Sequence, residues 1–440
     1  MNTPIYDFVK GYAARKGVRF HMPGHKGKGP LGIEALDITE VNGADVLGDA
    51  SGIIGESERN ATALFGTGKT VFLTGGSTAA IQGMLAIAMR HYRTAEKPCI
   101  LAARNAHRAF LHGAALLDIP VTFMLPEDAK TVYSGMLSPD EVEHAIQSAI
   151  IPPFAVYITS PSYLGEISDV EGIAKVCKRY KLPLLVDNAH GAYLAFLSPS
   201  LHPIHLGATM CADSAHKTLP VLTGGAYLHV AKGEETLFPD IKDAVSLFSS
   251  TSPSYLTLAS LDLANRTIAD GYAVRIQKAA ALVLKAKQTL SEAGFTVLPS
   301  EPLKLVLATA NAEALANCLR TSEIECEFQD REHLVFMTSA ENDPSDFDQL
   351  LKILLPFSKR EKPHTPPPRP HLGETVLSIR EALFAPRERI PVKEARGRIY
   401  AEISASCPPA VPIAVCGERI DPETVEAFLY YGIQEISVVK

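Results

Sequence analysis

Seven short apolar runs, each separated from the next by enough chain for a helix or a turn, constrain this sequence more than any other feature. They are VFLT at 71–74, CILAA at 99–103, PVTFML at 120–125, FAVYIT at 154–159, PLLVD at 183–187, TMCAD at 209–213 and AYLHV at 226–230. A strand that is apolar on both faces must be covered on both faces, and runs of this kind interleaved with helices specify a mostly parallel sheet in an α/β fold. Helix starts are legible between them. Ser138-Pro139-Asp140-Glu141 offers an N-cap, a first-turn proline and a capping-box glutamate, and Ser168-Asp169-Val170-Glu171 repeats the box. Residues 255–293 carry a helical pattern that leads the chain out of the sheet, and 295–355 read as a small α/β unit with strands near KLVLAT and HLVFMT. The expected organisation is an arm over 1–50, a large domain over 51–265, a small α/β domain over 266–357, a proline-rich linker over 358–370 and a C-terminal module over 371–440.

Composition removes several classes of function. The chain has 440 residues, 46% hydrophobic and 21% charged, so it is expected to fold throughout. A formal charge of −7 speaks against a general nucleic-acid binder. No apolar run reaches the ~18 residues of a membrane span, and no apolar block follows Met1, so neither membrane nor secretory signal is expected. The seven cysteines are scattered without a CxxC pair, which argues against a disulfide framework and a structural zinc site; no metal is expected, and the expected setting is the cytoplasm. Gly66-Thr67-Gly68-Lys69-Thr70 imitates the end of a P-loop. The first glycine of that motif is missing, since position 63 is Ala, and the segment precedes a strand instead of following one.

Four points on the sheet carry chemistry together. Thr74-Gly75-Gly76-Ser77-Thr78 joins a strand end to a helix start, where backbone N–H groups and hydroxyls suit an anion. Asp187 closes the strand LPLLVD and is followed by Asn188-Ala189-His190-Gly191. Lys217 lies in Asp213-Ser214-Ala215-His216-Lys217-Thr218, among small and hydroxyl residues, where partial desolvation makes an amine nucleophilic. His107 follows a fourth strand, in Arg104-Asn105-Ala106-His107. Each point alone reads as a cap, a turn or a surface residue. A phosphate cradle, an acid at a strand end and a lysine 30 residues later are jointly what pyridoxal phosphate requires.

Further segments extend the pattern: HMPGHKG at 21–27, FLTGGST at 72–78, ARNAHRAF at 103–110, SPSYLGEISD at 160–169, LLVDNAHGAY at 184–193, DSAHKTLPVLTGGAYLH at 213–229, STSPSYLTLASLD at 250–262 and PPAVPIAVCGERI at 408–420. On these the chain resembles the bacterial ornithine/lysine/arginine decarboxylases, pyridoxal-phosphate enzymes of the aspartate-aminotransferase-like fold. The resemblance implies that Lys217 is the Schiff-base lysine, that Asp187 pairs with the pyridine nitrogen, and that His107 stacks on the ring. It implies that Ser77, Thr78 and Ser214 bind the phosphate, with Thr251 reaching the phosphate in a neighbouring subunit. His190 is placed near the ring hydroxyl, and His216 is a candidate proton donor. Glu418, then Glu166, are the candidates to meet a cationic substrate tail. The sequence departs from the family pattern at Asn188, where many relatives carry Glu, at Tyr193, where His is usual, and in Cys416-Gly417-Glu418, where PGE is usual. The PGHKG segment lies so near the start that a wing domain, and the ring-like assemblies that need one, are not expected.

The implied activity is decarboxylation of a basic amino acid, arginine before lysine or ornithine, to a polyamine precursor. The partners expected are that small substrate and further copies of the chain, in a homodimer or higher homo-oligomer with shared sites. Transamination or aldol cleavage on the same cofactor, and a non-catalytic binding or regulatory subunit, are the alternatives the motifs leave open.

Overall fold

The computed structural model describes residues 1–92, 98–357, 366–403 and 411–440. All seven apolar runs are strands: β1 Lys69–Leu73, β2 Cys99–Ala103, β3 Val121–Met124, β4 Pro153–Thr159, β5 Leu184–Asp187, β6 Met210–Asp213 and β7 Ala226–Val230. They form one sheet in the order β1-β7-β6-β5-β4-β2-β3. β2 runs parallel to β3 and β4, and β5 parallel to β6; β7 is antiparallel to both of its neighbours. The sheet is therefore mostly parallel, and β2, β4, β5, β6 and β7 are almost continuously buried, which is why their sequences are apolar at successive positions instead of alternating; β3, at the edge, buries only Met124.

The chain divides into two compact units: Met1–Arg93 with Cys177–Ile276, and Thr94–Val176 with Gln277–Lys440. In the first, the helix Gly76–Tyr92 packs against β6 and β7 and buries ten consecutive residues from Ala79 to Ala88, as a helix enclosed on all sides must. The opening segment begins as a helix. Pro4–Ala14 is a helix with Ile5 and Val9 buried, and the Asp262 carboxylate accepts the backbone N–H groups of Ile5 and Tyr6 at 2.9 and 3.0 Å. A carboxylate from another helix thus takes the donors that a helix N-terminus leaves unsatisfied. Residues 15–52 contain turns and bends, with no helix or strand. The helical stretch at 255–293 is two helices, Tyr255–Ala269 and Tyr272–Glu292, parted at Gly271, whose φ of +96° no other residue adopts cheaply.

In the second unit, β8 Thr296–Val297, β9 Lys304–Ala308, β10 Phe328–Gln329 and β11 His333–Met337 form a sheet in the order β10-β11-β9-β8. The helices Ala312–Thr321 and Pro344–Leu354 share its core through Leu315, Leu319, Phe347 and Leu350, packed with Leu305, Leu307 and Leu334. The C-terminal segment pairs β12 Arg387–Pro391 with β13 Glu435–Val439 and packs the helix Pro422–Tyr430 on them through Phe428, Ile436 and Val438. Ser138 makes its full capping box with Glu141. At the next helix the cap lies one residue later than the spacing suggests: Asp169 accepts the Gly172 N–H at 2.8 Å, and Glu171 pairs with Lys175. Of the proline-rich linker, residues 358–365 lie outside the described residues, as do 408–410 of the C-terminal motif. No helix among the described residues is long and apolar enough to cross a membrane.

Candidate active site

The first unit builds its site where β1, β5 and β6 end. Gly76 opens its helix at φ +70° and donates to the Gly224 carbonyl at 2.7 Å; Gly224 has φ +92°, and a Cβ there would come within 2.8 Å of the Thr74 carbonyl oxygen. Two glycines therefore let the 74–76 and 222–225 segments approach closely. That approach brings the Ser214 hydroxyl to 2.8 Å from the Ser77 oxygen, to which it donates. Thr78 follows on the exposed side of the same first helical turn, whose N–H groups have no partner within the helix.

Asp187 is 2% exposed at the end of β5, and its Oδ1 accepts the Ala189 N–H at 3.1 Å. The turn that follows is held at its back by Asn188, whose N–H donates to the Ala212 carbonyl and whose carbonyl accepts from Gly191. It carries His190 to Lys217, with Nε2 and Nζ 2.8 Å apart. Lys217 sits half-buried on the single turn Ala215–Thr218, fixed at its end by the Tyr272 hydroxyl on the Thr218 carbonyl. The His216 ring donates from Nδ1 to the Gly225 carbonyl at 3.0 Å, which leaves Nε2 as the nitrogen able to exchange a proton when the ring is neutral. Thr251 is exposed at the rim of a cavity of about 170 Å³ that Val46, Leu47, Phe72 and Lys242 also line.

The second unit holds the other three candidates. His107 caps the helix Arg108–Leu117: its Nδ1 accepts the Ala109 N–H at 3.1 Å, which places the proton of the neutral ring on Nε2 and fixes the plane of the imidazole. Glu166 is half-buried, the Ser162 hydroxyl stands 3.4 Å from its Oε2, and burial pushes its carboxyl up from the ordinary range. Its loop is tied down from behind, because the buried Lys304 ammonium donates to the Tyr163 carbonyl at 3.1 Å and Glu301 N–H to the Gly165 carbonyl at 2.7 Å. Glu418 is 5% exposed and its Oε2 accepts the Val415 N–H at 2.7 Å. The same oxygen lies 3.7 Å from Nη2 of Arg104, a buried guanidinium that donates to the carbonyls of Pro412 and Ile413 at 2.8 and 2.9 Å. The Glu418 carboxylate is thus engaged in holding the 412–418 loop.

The structure brings together Ser77 with Ser214, and Lys217 with His190 beside Asp187. It also gives weight to residues the sequence had left without a role. Arg104 and Lys304 are buried cations, and Asp213 is a buried anion between two histidines. None stands out locally, since a charged residue at or just past a strand end is ordinarily a surface residue.

A family model described as "Orn/Lys/Arg decarboxylase, major domain" matches residues 3–303, and one described as "Orn/Lys/Arg decarboxylase, C-terminal domain" matches residues 377–436. The chain belongs to the Orn/Lys/Arg decarboxylase family. An arginine decarboxylase of Bacillus subtilis is 28% identical over 96% of this chain and 92% of its own length. The uncharacterized protein YaaO of the same organism is 27% identical over 97% and 93%. The lysine decarboxylase LdcA of Pseudomonas aeruginosa is 22% identical over 60% of this chain and 39% of its own. Among solved structures, the Francisella novicida lysine decarboxylase LdcF superposes with a TM-score of 0.80 at 18% identity, over 100% of this chain and 81% of that one. That likeness shows the same fold, shared with other pyridoxal-phosphate enzymes of fold type I. The chain is a pyridoxal-phosphate-dependent decarboxylase of this family.

The residues present fit the cofactor. The paired hydroxyls of Ser77 and Ser214 lie at a helix start opened by two positive-φ glycines, a phosphate-sized arrangement of donors. Asp187 is a buried acceptor at a strand end, and Lys217 is an amine with an imidazole in contact. When bound, pyridoxal phosphate supplies an electron-withdrawing ring that takes up the pair left on the substrate carbon.

Proposed function

We propose that this enzyme decarboxylates a basic amino acid, with arginine preferred over lysine and ornithine, and that Lys217 carries the cofactor through its amine. The observation that carries the reading is the 2.8 Å contact between Lys217 Nζ and His190 Nε2, on the turn that also presents Asp187. A lysine attacks an aldehyde only as the neutral amine, and an imidazole in hydrogen-bond contact is a group that can hold the proton it releases. Asp187 keeps the ring nitrogen protonated by pairing with it, and burial among apolar strands excludes the water that would weaken that pair. Ser77, Thr78 and Ser214 take the phosphate, His107 lies on the ring, and His216 is the candidate to return a proton to the substrate carbon. Thr251 reaches the phosphate of a second copy in a homodimer acting in the cytoplasm, where the product amine enters polyamine synthesis.

Glu166 meets the cationic tail of the substrate in this proposal, and Glu418 serves the fold. A half-buried carboxylate whose pKa burial has raised gains most from an approaching guanidinium, because that cation offsets the desolvation the carboxylate already bears. Support for arginine comes from the relatives named arginine decarboxylase, which align along nearly the whole chain. The test is reductive trapping. Borohydride treatment of the cofactor-loaded protein, followed by peptide mapping, is expected to place the label on Lys217; a label on any other lysine overturns the assignment.

A further inference from the structure

Beneath the turn that carries Asp187 and His190 lies a set of buried polar groups to which the chemistry above assigns nothing. Asp213 is fully buried at the end of β6. Its Oδ1 accepts from the Asn188 side-chain N–H at 2.7 Å. Its Oδ2 lies 3.1 Å from Nε2 of His202 and 3.3 Å from Nε2 of His229, both fully buried. His229 turns its Nδ1 toward the Thr70 hydroxyl at 2.8 Å, and Thr70 in turn meets Thr67 at the same distance. Cys211, one position back but one along the same strand face, places Sγ 3.7 Å from Asp213 Oδ1. Burial alone would push the Asp213 carboxyl up, yet the two imidazoles hold it well below the usual carboxylate range, while burial lowers the proton affinity of the His229 ring.

We propose that Asp213 and Asn188 form a positioning pair: the Asp213 carboxylate fixes the Asn188 amide, and Asn188 fixes the Asp187–Gly191 turn, so that this buried contact sets how His190 meets the Lys217 amine. Each link is a contact of the fold. The Asn188 amide can donate to Asp213 in one orientation only, since a carboxylate only accepts. The Asn188 backbone is bonded on both sides, to Ala212 through its N–H and to Gly191 through its carbonyl. A Cβ on Gly191 would come within 2.0 Å of Asn188 Oδ1, so the side chain also fills the floor of the turn. Three residues beyond Asp187 the same turn places His190 on Lys217. The anion is needed because a buried amide held by a charged acceptor is restrained more strongly than one held by a neutral acceptor.

The pair makes a transposition test possible. Asn188→Asp sets two carboxylates face to face in a dry site; the double variant Asn188→Asp/Asp213→Asn restores one acid and one amide with the donor and acceptor exchanged. Asp213→Ala releases Asn188 altogether. The readout is the apparent pKa of the Lys217 amine in the cofactor-free protein, obtained by trace acetylation across a pH series with peptide mapping, and melting temperature is recorded alongside. This readout does not depend on whether Lys217 carries the cofactor, so its failure is distinct from a trapping label on another lysine. Asp213→Ala and Asn188→Asp are each expected to move the Lys217 pKa by about half a unit or more, and the double variant to return it toward the unaltered value. If Asn188→Asp does not fold, the double variant still decides: a folded double variant with the native Lys217 titration supports the pair. A double variant displaced as far as the single one, one that fails to fold, or an Asp213→Ala protein that melts earlier with Lys217 unmoved, overturns the proposal and leaves Asp213 a role in stability alone.

Discussion

Arg104→Met tests whether the C-terminal loop is held by a buried cation. The substitution keeps much of the side-chain volume and removes the donor to the Pro412 and Ile413 carbonyls, leaving Glu418 buried without its cation. Hydrogen bonds to a charged group contribute about 1.5–3 kcal/mol each, and breaking a buried ion pair from one side costs about 3–5 kcal/mol. The two figures describe the same contacts, so the expected loss is about 3–5 kcal/mol and not their sum. Glu418→Gln is milder, at about 1–2 kcal/mol, because an amide oxygen still accepts from Val415 and Arg104 keeps both carbonyls. The pair shares one interaction, so the double variant should fall short of additivity by about 1 kcal/mol or more. Hydrogen exchange of peptides covering 411–420 reads the local opening directly, and 3 kcal/mol corresponds to about a hundredfold loss of protection. Losses that add within about 0.5 kcal/mol would refute the coupling. A Glu418→Gln protein with native protection and a KM for arginine raised about tenfold would refute the structural reading of Glu418 outright.

Gly191→Ala should weaken cofactor binding, since its Cβ would strike Asn188 Oδ1 and Leu194, and overpacking of this kind costs about 1–3 kcal/mol; a cofactor titration followed in the visible checks it, and unchanged affinity would show that the turn yields. Glu166→Gln should raise KM for the basic amino acid about tenfold or more and leave cofactor affinity unchanged, because a charge-assisted contact contributes about 1.5–3 kcal/mol. Asp330 gives a pH dependence of definite sign. Burial raises its carboxyl, but His333, the Glu332 N–H and the Tyr133 hydroxyl more than offset this and hold it below the ordinary value. A carboxyl depressed in the folded state contributes stability that is fully present above its unfolded pKa of about 3.9 and is lost as pH falls through the folded value. Urea midpoints measured from pH 6 downward should therefore fall less steeply in Asp330→Asn than in the unaltered protein, and parallel profiles would count against it.

Much of the site was legible because its residues sit at the ends of strands, and strands here announce themselves as apolar runs. Asp187 and Lys217 are read from LPLLVD and from the residues after TMCAD, and β5 and β6 do end where those runs end. The helix at Ser138 was legible because a capping box is a local device. At Asp169 the same spacing misled by one residue, since Asp169 competes for the cap and its carboxylate reaches the Gly172 N–H. What the sequence could not disclose is pairing across long separations. Asp262 takes the first N–H groups of the helix at Pro4, more than 250 positions away, and Arg104 grips a loop more than 300 positions later. A motif alone points Glu418 toward the substrate; only the fold reveals that Val415 and Arg104 engage its carboxylate. Asp213 stands within a recognisable motif, yet nothing adjacent in sequence marks it as an acid whose partners are His202, His229 and Asn188.

The central claim is that this chain removes carbon dioxide from a basic amino acid using the Lys217 amine. The direct measurement is release of labelled carbon dioxide from carboxyl-labelled arginine, lysine and ornithine by the cofactor-loaded protein, with Lys217→Ala in parallel. The account predicts release from the panel, with the highest kcat/KM for arginine, and a fall of several orders of magnitude in Lys217→Ala. A protein that holds pyridoxal phosphate with its visible band yet releases carbon dioxide from none of the three, or a Lys217→Ala protein that turns over at the native rate, would contradict it.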